Sequence, residues 1–78
     1  MTESNHQPPQ FEIDSIIALF SSNKQQEALD RVKVLNKDYP ENSLLHNITG
    51  ACYAGLGQLG FAVKSYEKAI EIKPDYAK

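Results

Sequence analysis

This chain has one cysteine, no run of apolar residues approaching the length of a membrane span, and no excess of positive charge. Each shortage closes a class of function. Cys52 has no partner for an internal disulfide, which fits a reducing compartment. Crossing a bilayer takes about 20 consecutive apolar residues, so no transmembrane helix is expected. A net charge of −2 argues against a general nucleic-acid binder, which would be clearly basic. The opening residues Met1–Pro9 offer neither a basic region nor an apolar stretch, so they do not read as a signal peptide. These shortages together predict a soluble, cytoplasmic protein with no membrane and no nucleic-acid partner.

The groups that carry out chemistry are equally sparse. Catalysis needs a nucleophile, a base and an orienting group, or a metal cluster, gathered in one place. His6 sits in a polar leader. His46 and Cys52 are six residues apart, which puts them on different faces of one helix. No cation neighbours Cys52 to lower its pKa, and Gly55, Gly57 and Gly60 fall in a helix–helix turn rather than a phosphate-binding loop. The expectation is a protein that is not an enzyme and has no cofactor or metal site.

What the chain does have is self-similarity at a spacing of 34 residues. Ala28 recurs as Ala62, Val32 as Tyr66, Leu35 as Ala69 and Pro40 as Pro74. The same offset carries Phe11 onto Leu45, Leu19 onto Tyr53 and Leu29 onto Val63. A period of this size marks a stack of small helical units, each too small to bury its apolar face alone.

Hydrophobic spacing places the helices. Residues 1–9 are polar and close with Pro8-Pro9, as expected for a disordered leader. From Gln10, apolar residues recur at spacings of three and four, through Ile13, Ile16, Ile17, Leu19 and Phe20. Asn23 is the expected N-cap of a second helix, with Gln26 completing a capping box. That helix turns Ala28, Leu29, Val32 and Leu35 inward and ends near Asp38-Tyr39, because Pro40 disfavours helix in the residue before it. Asn42 or Ser43 caps a third helix, which Gly55-Leu56-Gly57 breaks. A fourth runs from about Leu59 to Ile72, with Ala62, Val63, Tyr66, Ala69 and Ile70 inward. Asp75 is placed to cap a fifth helix, of which residues 75–78 are the start. No strand signal competes. Gly50, Ala62 and Ala69 remove bulk where helices cross, and Tyr53 and Tyr66 fill the remaining space.

The second unit resembles the tetratricopeptide repeat. Gly50-Ala-Cys-Tyr53, Ala62-Val-Lys-Ser-Tyr66 and the closing Pro74 match that family's pattern of Gly, Tyr, Ala, aromatic and Pro. Unit one, residues 10–42, is a degenerate copy that keeps Ala28 and Pro40 but has Ile16, Leu19 and Val32 at the Gly, Tyr and aromatic positions. Where the family often has Trp, this chain has Glu12 and His46, and it contains no Trp at all. Unit two covers residues 43–76. The resemblance implies an all-α, right-handed α-solenoid of two hairpins (four helices). The first helix of each hairpin would line a concave groove that holds a peptide or helix of a partner protein.

In that arrangement Gln10, Ile13, Ile17 and Phe20, then Leu44, Asn47, Ala51 and Ala54, face the groove. The competing reading, equally open from the residues, is that Ile13, Ile17 and Phe20 pack against neighbouring helices or the leader. All eight Lys and Arg lie on second helices or just after them. Family members that clamp an acidic C-terminal tail use Lys, Arg and Asn on their inner helices. A carboxylate buried here would lack a cation, at a cost of several kcal/mol. The stripe therefore suits an apolar or amide-rich segment rather than a chaperone tail.

Two units are fewer than the three or so that a stable stack needs, and the last helix has no cover. Three readings follow: the N-terminal part of a longer repeat protein, which is preferred here; a chain that self-associates through its uncapped last helix; or a marginal monomer. Longer members of the family often carry a catalytic domain, such as a glycosyltransferase or sulfotransferase. By that resemblance the units could also be a substrate-positioning segment of a larger enzyme.

Overall fold

A computed structural model describes residues 8–73 as four helices with no strand among them: α1 (Gln10–Ser21), α2 (Gln25–Asp38), α3 (Ser43–Gly55) and α4 (Leu59–Ile72). The expected leader residues before Pro8, and Pro74 with the start of a fifth helix, lie outside the described residues.

The helix ends follow from local chemistry. Proline, with its fixed φ and missing N–H, fits a helix start, and the Pro9 carbonyl accepts from the backbone N–H groups of Glu12 and Ile13 at 3.0 and 3.4 Å. Glu12 in that first turn faces the positive end of the helix dipole. Between α1 and α2, Asn23 takes φ 68°, the left-handed region, which among non-glycine residues Asn tolerates best. The Asn23 N–H donates to Phe20 at 3.1 Å and the Lys24 N–H to Leu19 at 2.9 Å, the two bonds of a Schellman closure. Asn23 thus ends α1. It does not cap α2, as its residue type suggested: Lys24 holds that position with no side-chain cap, and Gln26 bonds Asp30 rather than completing a box. Asparagine suits both roles, and the short connection leaves it only one.

The same closure recurs 34 residues later. Gly57 has φ 80°, its N–H donates to Ala54 at 3.0 Å, and the Gln58 N–H donates to Tyr53 at 2.9 Å. At the other connection Tyr39 terminates α2, bonding Leu35 at 2.8 Å just before Pro40. Asn42 then caps α3, its side-chain oxygen accepting from Leu45 N–H at 3.0 Å.

Packing is sequential: α1 lies on α2, α2 on α3 and α3 on α4. Ile13 and Ile16 of α1, Ala28, Leu29, Val32 and Leu35 of α2, and Leu45 and Cys52 of α3 form one core. Each large side chain fully buried there, such as Ile16 or Leu45, contributes about 1.5–3 kcal/mol. Ala62 and Ala69 bury the inner face of α4. At the α3–α4 crossing a Cβ added to Gly50 would come within 2.7 Å of the Tyr66 ring, so any side chain there would have to displace the ring. Unit one reaches the same end with opposite sizes: Ile16 and Val32, both fully buried, stand at the registers of Gly50 and Tyr66.

One polar contact interrupts the α2–α3 seam. Asn36 Nδ2 donates to Thr49 Oγ1 at 2.9 Å, and that hydroxyl donates to the Leu45 carbonyl at 2.7 Å. Two residues expected inside α4 are not. Val63 and Ile70 are exposed, because none of the other described helices covers the face on which they lie.

Candidate interaction surface

The eight residues expected to line a groove fall on α1 and α3, in four pairs related by the 34-residue offset: Gln10 with Leu44, Ile13 with Asn47, Ile17 with Ala51, and Phe20 with Ala54. They do not share one environment. Ile13 is buried in the core, the packing position of the competing reading. Ile17, one helical turn further on, is 47% exposed. Phe20 is half-buried and leans on the core. Leu44 is just exposed, while Asn47, Ala51 and Ala54 are half-buried. Gln10 is exposed and donates its side-chain N–H to Asp14 Oδ1 at 3.0 Å.

Gln10, Ile13 and Leu44 do meet, in a cleft of about 670 Å³ between the start of α1, the α2–α3 connection and the end of α4. Sequence reasoning missed the other walls of this cleft. Tyr39, Pro40 and Asn42 contribute from the connection, and Ile72 and Lys73 from the end of α4. Their signal lay in the Pro40 break, which folds the connection back beside α1. The charged lining comes from Asp38, Glu41 and Lys73, none of them on α1 or α3.

Electrostatics separate two sides of the molecule. α3 carries no Asp, Glu, Lys or Arg, and α1 carries only Glu12 and Asp14. A second cleft of about 540 Å³ lies between α1 and α2, lined by Glu12, Glu27, Asp30 and Asp38 with Arg31 among them. Arg31 approaches Glu12 at 3.9 Å, a solvent-exposed pair worth little.

The remaining reactive groups are occupied. His46 Nε2 lies 2.8 Å from the Pro40 carbonyl; a carbonyl only accepts, so this nitrogen carries the proton. The imidazole thereby ties the α2–α3 connection to α3. Cys52 is buried, and desolvation pushes its thiol above the ordinary pKa. Among the described residues no group of three His, Cys, Asp or Glu side chains is placed to hold a metal ion. No helix among them is long and apolar enough to cross a membrane.

A third surface was not anticipated. Phe61 of α4 is exposed on one face and stacks on Tyr53 of α3 with ring centroids 5.2 Å apart. The two are eight residues apart across the Gly57 turn, a spacing that helical periodicity cannot read through a break.

Comparison with known protein families, curated proteins and solved structures finds no match.

Proposed function

We propose that this chain is a non-catalytic protein-interaction module of tetratricopeptide type. In this reading α1–α2 and α3–α4 are successive hairpins of a right-handed solenoid, and α1 and α3 form the inner wall. Ile17, Phe20, Leu44, Asn47, Ala51 and Ala54 contact an extended or helical segment of a partner. The observation that carries it is the recurrence of the turn geometry: donors Asn23 and Lys24 with acceptors Phe20 and Leu19 become Gly57, Gln58, Ala54 and Tyr53 at an offset of 34. Equal turns between helices of equal register support a stack in which the first helices share one side.

The occupant is defined by what the wall lacks. With no cation on α1 or α3, a carboxylate docked there would remain uncompensated. Apolar side chains suit Ile17 and Leu44, and amide groups suit the Asn47 side. A reducing, aqueous compartment fits the single buried thiol.

The test is selection of peptides from a random displayed library by the wild-type chain and by Ile17→Asp. Ile17 is exposed, so the change leaves the core intact; Ile13 is unsuitable because its loss would unfold the protein. The wild type should enrich apolar and amide-rich sequences, and Ile17→Asp should lose them. Enrichment of acidic C-terminal tails, or equal enrichment by both forms, rejects the proposal.

A further inference from the structure

The α2–α3 seam shows how two neighbouring helices of this chain fit together. On the α2 side Leu29 and Val32 are buried and Asn36 bonds Thr49. On the α3 side Leu45, Thr49 and Cys52 are buried, and Gly55 abuts the Gln25 side chain. Moving the α2 side forward by 34 residues gives Leu59, Val63, Tyr66 and Ile70 on α4. Here Leu59 is 64%, Val63 53% and Ile70 46% exposed. Moving the α3 side back by 34 gives Phe11, Ser15, Ala18 and Ser21 on α1, with Phe11 71% exposed. The backbones match as well, since Gln25–Asp38 maps onto Leu59–Ile72. The described residues thus carry both halves of one internal interface, exposed on α1 and on α4.

We infer that a second copy of this chain docks head to tail, the outer face of its α1 seated on the outer face of α4. The known contacts translate directly. Gln25 against Gly55 becomes Leu59 against the second copy's Ser21, and Asn36 against Thr49 becomes Ile70 against its Ser15. The polar group on α1 can be satisfied within its own helix: Thr49 bonds the Leu45 carbonyl, and Ser15 at the same register would need only to turn its hydroxyl to the Phe11 carbonyl, asking nothing of Ile70. Large apolar groups on α4 meet small ones on α1, with Phe11 as the single large knob in return. The one mismatch is Asp14, a charge on the register of the half-buried Ile48. A contact between two different faces leaves one of each open on a pair, so copies go on adding rather than stopping at two. The seam uses none of the residues assigned to the inner wall, so either reading can fail without the other.

Analytical ultracentrifugation of the 78-residue chain tests it. The wild type should show a concentration-dependent series that extends past the dimer. Phe11→Glu and Val63→Glu, each with unchanged far-ultraviolet circular dichroism because both positions are exposed, should each be monomeric. Mixed in equal amounts they should form a 1:1 dimer that grows no further, since each copy keeps the one end the other has lost. Asp14→Ile, which installs the residue α3 itself uses, should tighten association about tenfold. The inference is overturned by a wild type that stays monomeric at about 1 mM. It is also overturned by variants that fail to pair when mixed. A dimer that Val63→Glu breaks and Phe11→Glu spares would mean symmetric pairing of α4 with itself, and would equally reject it.

Discussion

The crossing of α3 and α4 offers a quantitative test of how this chain packs. A methyl group on Gly50 would lie 2.7 Å from Tyr66 Cε1 and 2.8 Å from Cδ1, inside any relaxed contact. Gly50→Ala therefore sets two effects against each other. Alanine gains about 1 kcal/mol of helix propensity over glycine. Overpacking against a rigid ring costs about 1–3 kcal/mol, with about 2 a central value. The net expectation is a loss of about 1 kcal/mol. In a Tyr66→Val background, which installs the residue that unit one carries at this register, the ring is gone and only the propensity remains. There Gly50→Ala should stabilise by about 1 kcal/mol, so the two positions couple by about 2 kcal/mol. By the same logic Gly50→Ile unfolds the protein alone, whereas Gly50→Ile/Tyr66→Val folds, because it reproduces the Ile16 and Val32 pairing. Urea denaturation followed by helical circular dichroism at one protein concentration compares all five variants with the wild type. Additive effects of Gly50→Ala and Tyr66→Val would refute this account of the crossing.

Three further outcomes are expected. Thr49→Val strands the Asn36 amide in the α2–α3 seam and should cost about 1–3 kcal/mol, while Thr49→Val/Asn36→Leu removes both polar partners and should recover most of it, as read by urea denaturation. Gly57→Ala should cost about 1 kcal/mol although nothing lies within 4 Å of the added methyl, because φ 80° is left-handed; Asn23→Gly should be neutral or stabilising, and melting temperatures decide both. Burial raises the Cys52 thiol pKa, so the folded state holds the proton more tightly than the unfolded state. The resulting stability is complete below the unfolded thiol pKa of about 8.5 and is lost as pH rises through the folded value. Stability of the wild type minus that of Cys52→Ala, measured across this range, should fall with rising pH.

Helix bounds were the most legible part of the sequence. Pro40, Asn42 and Gly57 each force one local geometry, so α2 ends and α4 begins where their residues say, and Asn42 caps α3 as its type predicts. Asn23 was ambiguous because asparagine serves both a helix start and a left-handed helix end. Burial along α1 was only half legible. Ile13 and Ile17 are four residues apart on one side of α1, and periodicity cannot say which of two such neighbours reaches the core. Val63 and Ile70 carry an inward pattern that anticipates a neighbour. Whether such residues are covered depends on what stands beside the helix, which no pattern within it records. The lining supplied by Tyr39 and Lys73 was invisible for a related reason: it forms where a connection and a helix end meet in space.

The bond between Asn36 and Thr49 has a consequence for how freely these helices can shift. Apolar surfaces alone tolerate sliding, since one ridge of methyl groups resembles the next. Displacing α3 along α2 by one turn, about 5.4 Å, would leave the Asn36 amide facing hydrocarbon, while the Thr49 hydroxyl keeps the Leu45 carbonyl of its own helix. That penalty selects a single axial setting for the pair. On α4 the same station is held by Ile70, so whatever rests there is gripped by shape alone and has no latch against slippage.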